Sequence, residues 1–262
     1  MDWKERLLQW FYRVIYRRPP KWDKCSKASC WTGHNAGTRL MNILSPHMPD
    51  RVFRDRVKWM TGRECNTAHV ILANEKDGEY AGYSIYGATW DWNISCADED
   101  ICQLMRERIR YLRRKGFAVV VWTLTDDGPA YNSTVDDNFE KYASDLEDQG
   151  LFDLASIVVS GLELGDYFDH SRVASHVAAI RHHYRGKVGI HQNAGRTHFA
   201  GLGDLFFAQE SPGRSSGWLA NRTKHLVGSL GKPVNMFEVE RQEAPAKSQA
   251  MLDAGAFGVG NC

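Results

Sequence analysis

Short apolar runs alternate with longer amphipathic segments along most of the chain. Eight of the runs have the length of strands, at 27–31, 68–73, 118–124, 156–161, 187–191, 204–208, 234–239 and 256–260. Strands that alternate with helices are typical of βα units and of a parallel sheet. Eight such units in about 250 residues match a (β/α)8 barrel, the TIM barrel. The pattern therefore predicts an α/β protein with a single-domain barrel.

The segments between the strands carry the period of helices. Apolar residues recur at helical spacing in 98–114 and 173–184, and Gly116 and Gly186 follow where a glycine commonly ends a helix. A doubly wound sheet is the competing architecture. Neither GxGxxG nor GxxxxGK[ST] follows the early strands, so the barrel is preferred.

Residues 1–20, MDWKERLLQWFYRVIYRRPP, predict an amphipathic helix that Pro19 and Pro20 end. We expect this helix to pack on a barrel formed by residues 21–262, with no helix after strand eight. Basic residues interrupt its apolar face and no cleavage site follows, so it does not match a signal peptide. No stretch is long enough to span a bilayer. We expect a cytoplasmic protein, or one released without classical secretion.

Composition narrows the classes of partner and cofactor. Thirty-three basic and 32 acidic residues leave a formal charge of +1, which gives no field to attract nucleic acid. The six cysteines form no CxxC pair, and a bridge between Cys96 and Cys102 stays open. HxH and HExxH are absent, and His182 with His183 falls near a helix end. We expect neither a metal nor another cofactor.

Carboxylates end two of the predicted strands. Glu163 follows strand four in GLELGDYFD, and Glu238 and Glu240 end strand seven in KPVNMFEVER. Catalytic groups of a barrel lie at the carboxyl ends of its strands, and strands four and seven lie on roughly opposite sides of the mouth. Retaining hydrolysis of a glycosidic bond needs two carboxyl groups about 5 Å apart across the sugar.

Alternation along each strand indicates which side chains share a face. Glu163 shares one with Val159, and Glu238 shares another with Met236 and Glu240. We expect these faces to look into the pocket, with Glu238 lying deeper than Glu240.

The two motifs resemble those of the clan A glycoside hydrolases, the cellulase-like barrels. In that family a KPV run leads to the nucleophilic glutamate five residues after the proline, which is Glu238 counted from Pro233. The fourth-strand motif places the acid/base at Glu163. The resemblance implies a retaining glycosidase that acts on a poly- or oligosaccharide.

The chain also departs from the family pattern. Leu162 stands where the family has an asparagine that contacts the sugar, and no tryptophan follows strand eight. Asn74 and Glu75 occupy the region where the family often has an arginine. A catalytically decayed barrel with a carbohydrate-binding or structural role is therefore the alternative.

Other polar and aromatic residues of strand ends and loops are candidates for binding the carbohydrate. They are His34, Asn35, Asn74, Trp90, Asp126, Tyr167, His191, Asn193, Gln209, Glu210, Trp218 and Glu240. If Glu210 or Glu240 is the second carboxylate, the separation from Glu163 changes, and an inverting mechanism with a wider gap becomes possible. The aromatic segment 74–97 forms either a ligand platform or a hydrophobic cluster that holds the loop.

Overall fold

The computed structural model describes residues 29–30, 42–62, 66–74, 78–87, 96–125, 138–162, 168–193, 195–210, 213–237 and 245–261. The helix predicted for residues 1–20 lies outside these ranges. Among the described residues, no helix is both long and apolar enough to cross a membrane. Cys96 is exposed, Cys102 is buried, and both thiols are free.

Eight parallel strands form a closed barrel in the described part of the chain, and each strand pairs with the next. The ring closes where the last strand pairs with the first. The strands are β1 (Ser29–Cys30), β2 (Thr67–Ile71), β3 (Ala118–Trp122), β4 (Ile157–Val159), β5 (Lys187–Gln192), β6 (Leu205–Gln209), β7 (Val234–Phe237) and β8 (Gly258–Asn261). This architecture confirms the predicted fold class.

Helices surround the barrel. They are α1 (Asp50–Gly62), α2 (Glu99–Arg114), α3 (Phe139–Asp148), α4 (His170–His183), α5 (Ser216–Leu230) and α6 (Pro245–Asp253), with 3-10 turns at Phe152–Leu154 and Ala200–Leu202. Among the described residues between β5 and β6, the 3-10 turn stands in place of a full helix.

The helices predicted at 98–114 and 173–184 both begin at capping side chains. The carboxylate of Asp98 accepts a hydrogen bond from the Ile101 amide at the start of α2. At the start of α4, Asp169 accepts a hydrogen bond from the Arg172 amide, and this bond lowers the pKa of Asp169. Both contacts satisfy amides that have no partner inside the helix.

The two glycines predicted to end those helices have different roles. Gly116 has a φ of +89° just past α2, as the prediction requires. The prediction for Gly186 is wrong, because α4 already ends at His183 and Tyr184 is extended. A Cβ at Gly186 would overlap the hydroxyl end of the Tyr184 side chain.

Two apolar layers stabilise the barrel. The outer layer lies between strands and helices and includes Val121, Val158 and Val188 on the outer strand faces. The inner layer fills the barrel with large side chains. Its members are Ile71, Val120, Trp122, Ile157, Val159, Leu162, Leu205, Phe207 and Phe237.

The alternation of β7 is the reverse of the prediction. Val234 and Met236 belong to the outer layer, whereas Phe237 belongs to the inner one. Both faces of a strand in a parallel barrel are apolar, so the hydrophobic pattern does not reveal which face turns inward. Within β4, Val159 lies in the inner layer as predicted, but Leu162 lies there too, so the alternation predicted from Val159 onward does not continue through Leu162.

Candidate active site at the carboxyl ends of the strands

All eight strands are parallel, so their carboxyl ends meet at one rim of the barrel. The described chain reaches Leu162 after β4 and Phe237 at the end of β7, each the residue directly before a predicted catalytic glutamate. Eight predicted site residues lie outside the described ranges. They are Glu163, Glu238, Glu240, His34, Asn35, Trp90, Asp126 and Tyr167.

Aromatic side chains form the floor beneath this rim. Trp122 stacks on Phe237 with ring centroids 4.9 Å apart, and Phe207 meets Trp122 edge-on at 5.4 Å. All three side chains are fully buried. The indole of Trp122 is therefore part of the floor and is not an exposed sugar platform.

Leu162 belongs to the same inner cluster and is completely buried. Its amide donates a hydrogen bond to the Leu124 carbonyl, which ties the end of β4 to β3. Gly161 before it has a φ of 153°, close to the limit of the conformations that other residues adopt. At the position where the clan A glycoside hydrolases have an asparagine, this chain therefore has an apolar side chain that packs inward.

Two histidines lie inside this aromatic floor. Burial lowers the pKa of both His69 and His191 to about 3, so both rings are neutral near pH 7. The indole nitrogen of Trp122 lies 3.1 Å from Nδ1 of His69. Because an indole only donates, Nδ1 of His69 is the acceptor and its proton is on Nε2.

His191, a predicted sugar contact, packs edge-on against Trp122 and Phe237 at centroid distances of 5.3 and 5.6 Å. Its side chain is 2% exposed. The structure therefore places His191 in the floor of the site, below the rim.

Gln209 is the described candidate best placed at the rim. It shares the inner side of β6 with Leu205 and Phe207, and it pairs in register with Phe237. Its Oε1 has no hydrogen-bond partner among the described residues. A buried amide oxygen without a partner is suited to accept a hydrogen bond from a ligand hydroxyl.

Asn193 lies at the end of neighbouring β5, where its backbone carbonyl accepts a hydrogen bond from the Arg196 amide.

Glu210 lies in a buried ion pair. Nε of Arg222 donates to its Oε1 over 2.8 Å, and 6% of the glutamate side chain is exposed. The same guanidinium donates to the Gly195 carbonyl over 2.7 Å. These contacts connect β6, the loop after β5 and α5.

Asn74 lies in a buried hydrogen-bond network at the end of β2. Its side chain is fully buried and donates to Oδ1 of Asn42 over 2.6 Å. The Tyr83 hydroxyl donates to the Ile71 carbonyl. Tyr83 and Tyr86 are both buried, so this part of segment 74–97 is a hydrophobic cluster.

Trp218 is the one exposed large hydrophobic side chain among the described residues, at 38% exposure. It lies in the first turn of α5, where the Ser215 hydroxyl caps its amide. The guanidinium of Arg214 lies 4.8 Å from its ring centroid. An indole held in this way near the loop after β6 presents a flat surface to solvent.

The sequence interpretation missed His69 and the aromatic floor. His69 is a polar residue within an apolar run, and it lies two positions before Ile71, on the same face of the strand. This placement was the signal that could have identified it. Phe207 and Phe237 gave no signal, since apolar residues occupy both faces of these strands.

No protein-family model matches the chain, and no curated protein is significantly similar to it. Solved structures do match. GH5_18 from Bifidobacterium longum aligns with a TM-score of 0.63 at 10% identity, over 90% of this chain and 69% of its own. The chain has the fold of glycoside hydrolase barrels.

Two further structures support this likeness over most of both chains. The GH53 catalytic domain of Ignisphaera aggregans has a TM-score of 0.57 at 10% identity, over 93% of this chain and 86% of its own. A GH113 β-mannanase from Alicyclobacillus acidocaldarius has a TM-score of 0.53 at 15% identity, over 90% and 85%. The chain spans only 50% of a matching Bacteroides vulgatus structure. These comparisons confirm the resemblance at the level of fold.

Proposed function

We propose that this chain is a retaining glycoside hydrolase that acts on a poly- or oligosaccharide. Glu163 is the acid/base and Glu238 is the nucleophile. The fold likeness to glycoside hydrolases supports this class of reaction. Fold alone does not fix function, so the proposal depends on the two strand ends.

One observation carries the assignment. Leu162 and Phe237, the residues directly before the two glutamates, belong to a single buried cluster inside the barrel. Consecutive Cα atoms are about 3.8 Å apart, so each glutamate backbone is one step from that shared floor. Because the side chains of Leu162 and Phe237 both face inward, the proposal requires that strict alternation does not continue past either residue.

Each glutamate has a defined role in the proposed reaction. The carboxylate of Glu238 attacks the anomeric carbon while the carboxyl group of Glu163 protonates the departing glycosidic oxygen. Glu163 then accepts a proton from water, which attacks the anomeric carbon and releases the sugar from Glu238. The apolar floor disfavours a charged carboxylate nearby, which helps to keep an acid protonated.

Chemical rescue tests the two roles separately. We expect Glu163→Ala and Glu238→Ala each to lower turnover of an aryl glycoside by about 100-fold or more. Azide should restore Glu238→Ala through a glycosyl azide of inverted configuration. For Glu163→Ala, azide should give an azide product of retained configuration. The exposed Glu107 of α2 provides the matched control Glu107→Ala, which should keep the wild-type rate.

A carbohydrate-binding barrel without catalysis is the second candidate. The observation that favours it is Leu162, whose buried side chain offers no hydrogen bond to a sugar. Wild-type protein that retains glycan binding but hydrolyses none of a panel of aryl glycosides and polysaccharides would establish this alternative. Turnover that survives in Glu238→Ala without azide would contradict the proposed nucleophile.

A further inference from the structure

Two histidines and two glutamates meet on the outer surface, between α3 and α4. Nδ1 of His182 lies 2.6 Å, and Nε2 of His183 lies 3.0 Å, from the same Oε1 of Glu140. Among the described residues, these three ligand atoms form a group within 4.8 Å of one another. Two imidazole nitrogens and a carboxylate oxygen from different helices therefore converge on one point.

Glu147 orients the ring of His183. Its Oε2 lies 2.8 Å from Nδ1 of His183, whose side chain is only 12% exposed. A neutral imidazole carries one N–H, so when Nδ1–H is donated to Glu147, the Nε2 lone pair faces Glu140. Histidines that bind metals commonly donate their second nitrogen to a carboxylate in this way.

We infer that His182, His183 and Glu140 form a binding site for a divalent transition metal ion of the zinc type, with Glu147 as a positioning residue. Two nitrogen donors and one oxygen donor suit zinc, nickel or cobalt, whereas magnesium and calcium prefer oxygen ligands. Three protein ligands leave the remaining coordination positions to water.

The ligand geometry requires only side-chain adjustment. Metal–ligand bonds of about 2.0–2.1 Å in a tetrahedral site place neighbouring ligand atoms roughly 3.3 Å apart. Glu140 and His182 have exposed fractions of 57% and 71%, so both are able to rotate into that arrangement. His183 is the fixed member of the site.

The location suits a cation and indicates a structural role. His182 and His183 end α4, where the negative end of the helix dipole stabilises positive charge. This helix end leads into β5 at Lys187, so it lies near the amino-terminal start of a strand and away from the rim. The bound ion would join α3 to α4, independently of any glycosidase activity.

Metal titration of the full chain without an affinity tag tests the inference. After chelator treatment, we expect isothermal titration with Zn²⁺ to show one ion per chain. Co²⁺ should give the weak visible bands of nitrogen and oxygen ligands. His182→Ala and Glu140→Gln should each weaken zinc affinity at least ~10-fold, and Glu147→Gln about 10–100-fold. Far-ultraviolet circular dichroism checks that each variant is folded.

Two control variants exclude other donors. His225→Ala removes an exposed histidine of α5, and Cys96→Ser removes an exposed thiol, so both should bind zinc like the wild type. Equal affinity in His182→Ala and the wild type would overturn the site. No zinc uptake by the wild type would leave the cluster as ion pairs alone and would also overturn it. A thiolate band with Co²⁺ that disappears in Cys96→Ser would assign the metal elsewhere.

Discussion

Gly189 lies on the inner side of β5 with no space for a side chain. A Cβ there would lie 2.5 Å from Cε2 of Phe207 and 3.1 Å from Cγ2 of Val159. Both neighbours belong to the buried inner layer, so neither is able to move into solvent. This glycine is therefore required by packing density inside the barrel.

We expect Gly189→Ala to lower the free energy of unfolding by about 1–3 kcal/mol, because the added methyl group overpacks the barrel interior. Urea denaturation measures the loss. Gly62→Ala, at the end of α1 with no atom within 4 Å of the added Cβ, is the matched control. It should be neutral or slightly stabilising. Equal stability of the two variants would show that the inner layer relaxes around the methyl group.

Glu210 and Arg222 connect the loop after β5, the end of β6 and helix α5. The buried carboxylate directly follows β6, and its guanidinium partner on α5 also donates to the Gly195 carbonyl. Removing one member of a buried ion pair leaves the other charge without compensation, which costs more than the pair contributes.

Arg222→Met should therefore lower the free energy of unfolding by about 3–5 kcal/mol, whereas the double variant Arg222→Met/Glu210→Gln should lose less. The double variant removes the charge that the single variant leaves buried. Urea unfolding of the wild type, both single variants and the double variant gives the coupling between the two side chains. Additive losses would mean that the carboxylate finds water or another donor in the single variant.

The elements were predictable from the sequence because their signals are local. All eight strands lie at or within the predicted runs or differ from them by a residue or two, as β5 does by ending at Gln192. The inward face of β7 was not predictable, since Met236 and Phe237 are both apolar and bury on opposite sides. The pairing of Glu210 with Arg222 also required the fold, because it joins a strand end to the following helix.

The candidate site was predictable only in part. Strand ends located the rim, and the resemblance supplied Glu163 and Glu238, which both remain predictions. No sequence pattern joins Glu140 to His182, because 42 positions separate them and the contact depends on how α3 packs on α4. Sites built from several elements need the tertiary arrangement.

Across the whole molecule, buried neutral histidines link stability to pH. Burial lowers the pKa of His69 and His191 to about 3 and that of His176 to about 4, from an ordinary value of 6.5. Below about pH 6.5 the unfolded chain binds protons at these positions and the folded chain does not. Their contribution to stability is therefore complete above that pH and is lost as the pH falls toward 4 and 3.

His183 has the opposite effect on the pH dependence of stability. Burial lowers its pKa, but hydrogen bonds to Glu147 and Glu140 outweigh burial and raise it overall. A raised pKa stabilises the folded chain at low pH, and that contribution is lost as the pH rises through the folded value. Variants that keep His183 share this contribution, so a comparison between them cancels it.

The free energy of unfolding should fall between about pH 6 and pH 4.5, by at most about 1.4 kcal/mol per pH unit for each of the three buried histidines. His191→Leu should reduce that slope by roughly one third, because one of three proton-binding groups is removed from the unfolded chain. Urea denaturation of both proteins at several pH values, with chelator present to exclude metal, measures the slopes. A slope in His191→Leu equal to that of the wild type would mean that His191 is protonated in the folded barrel.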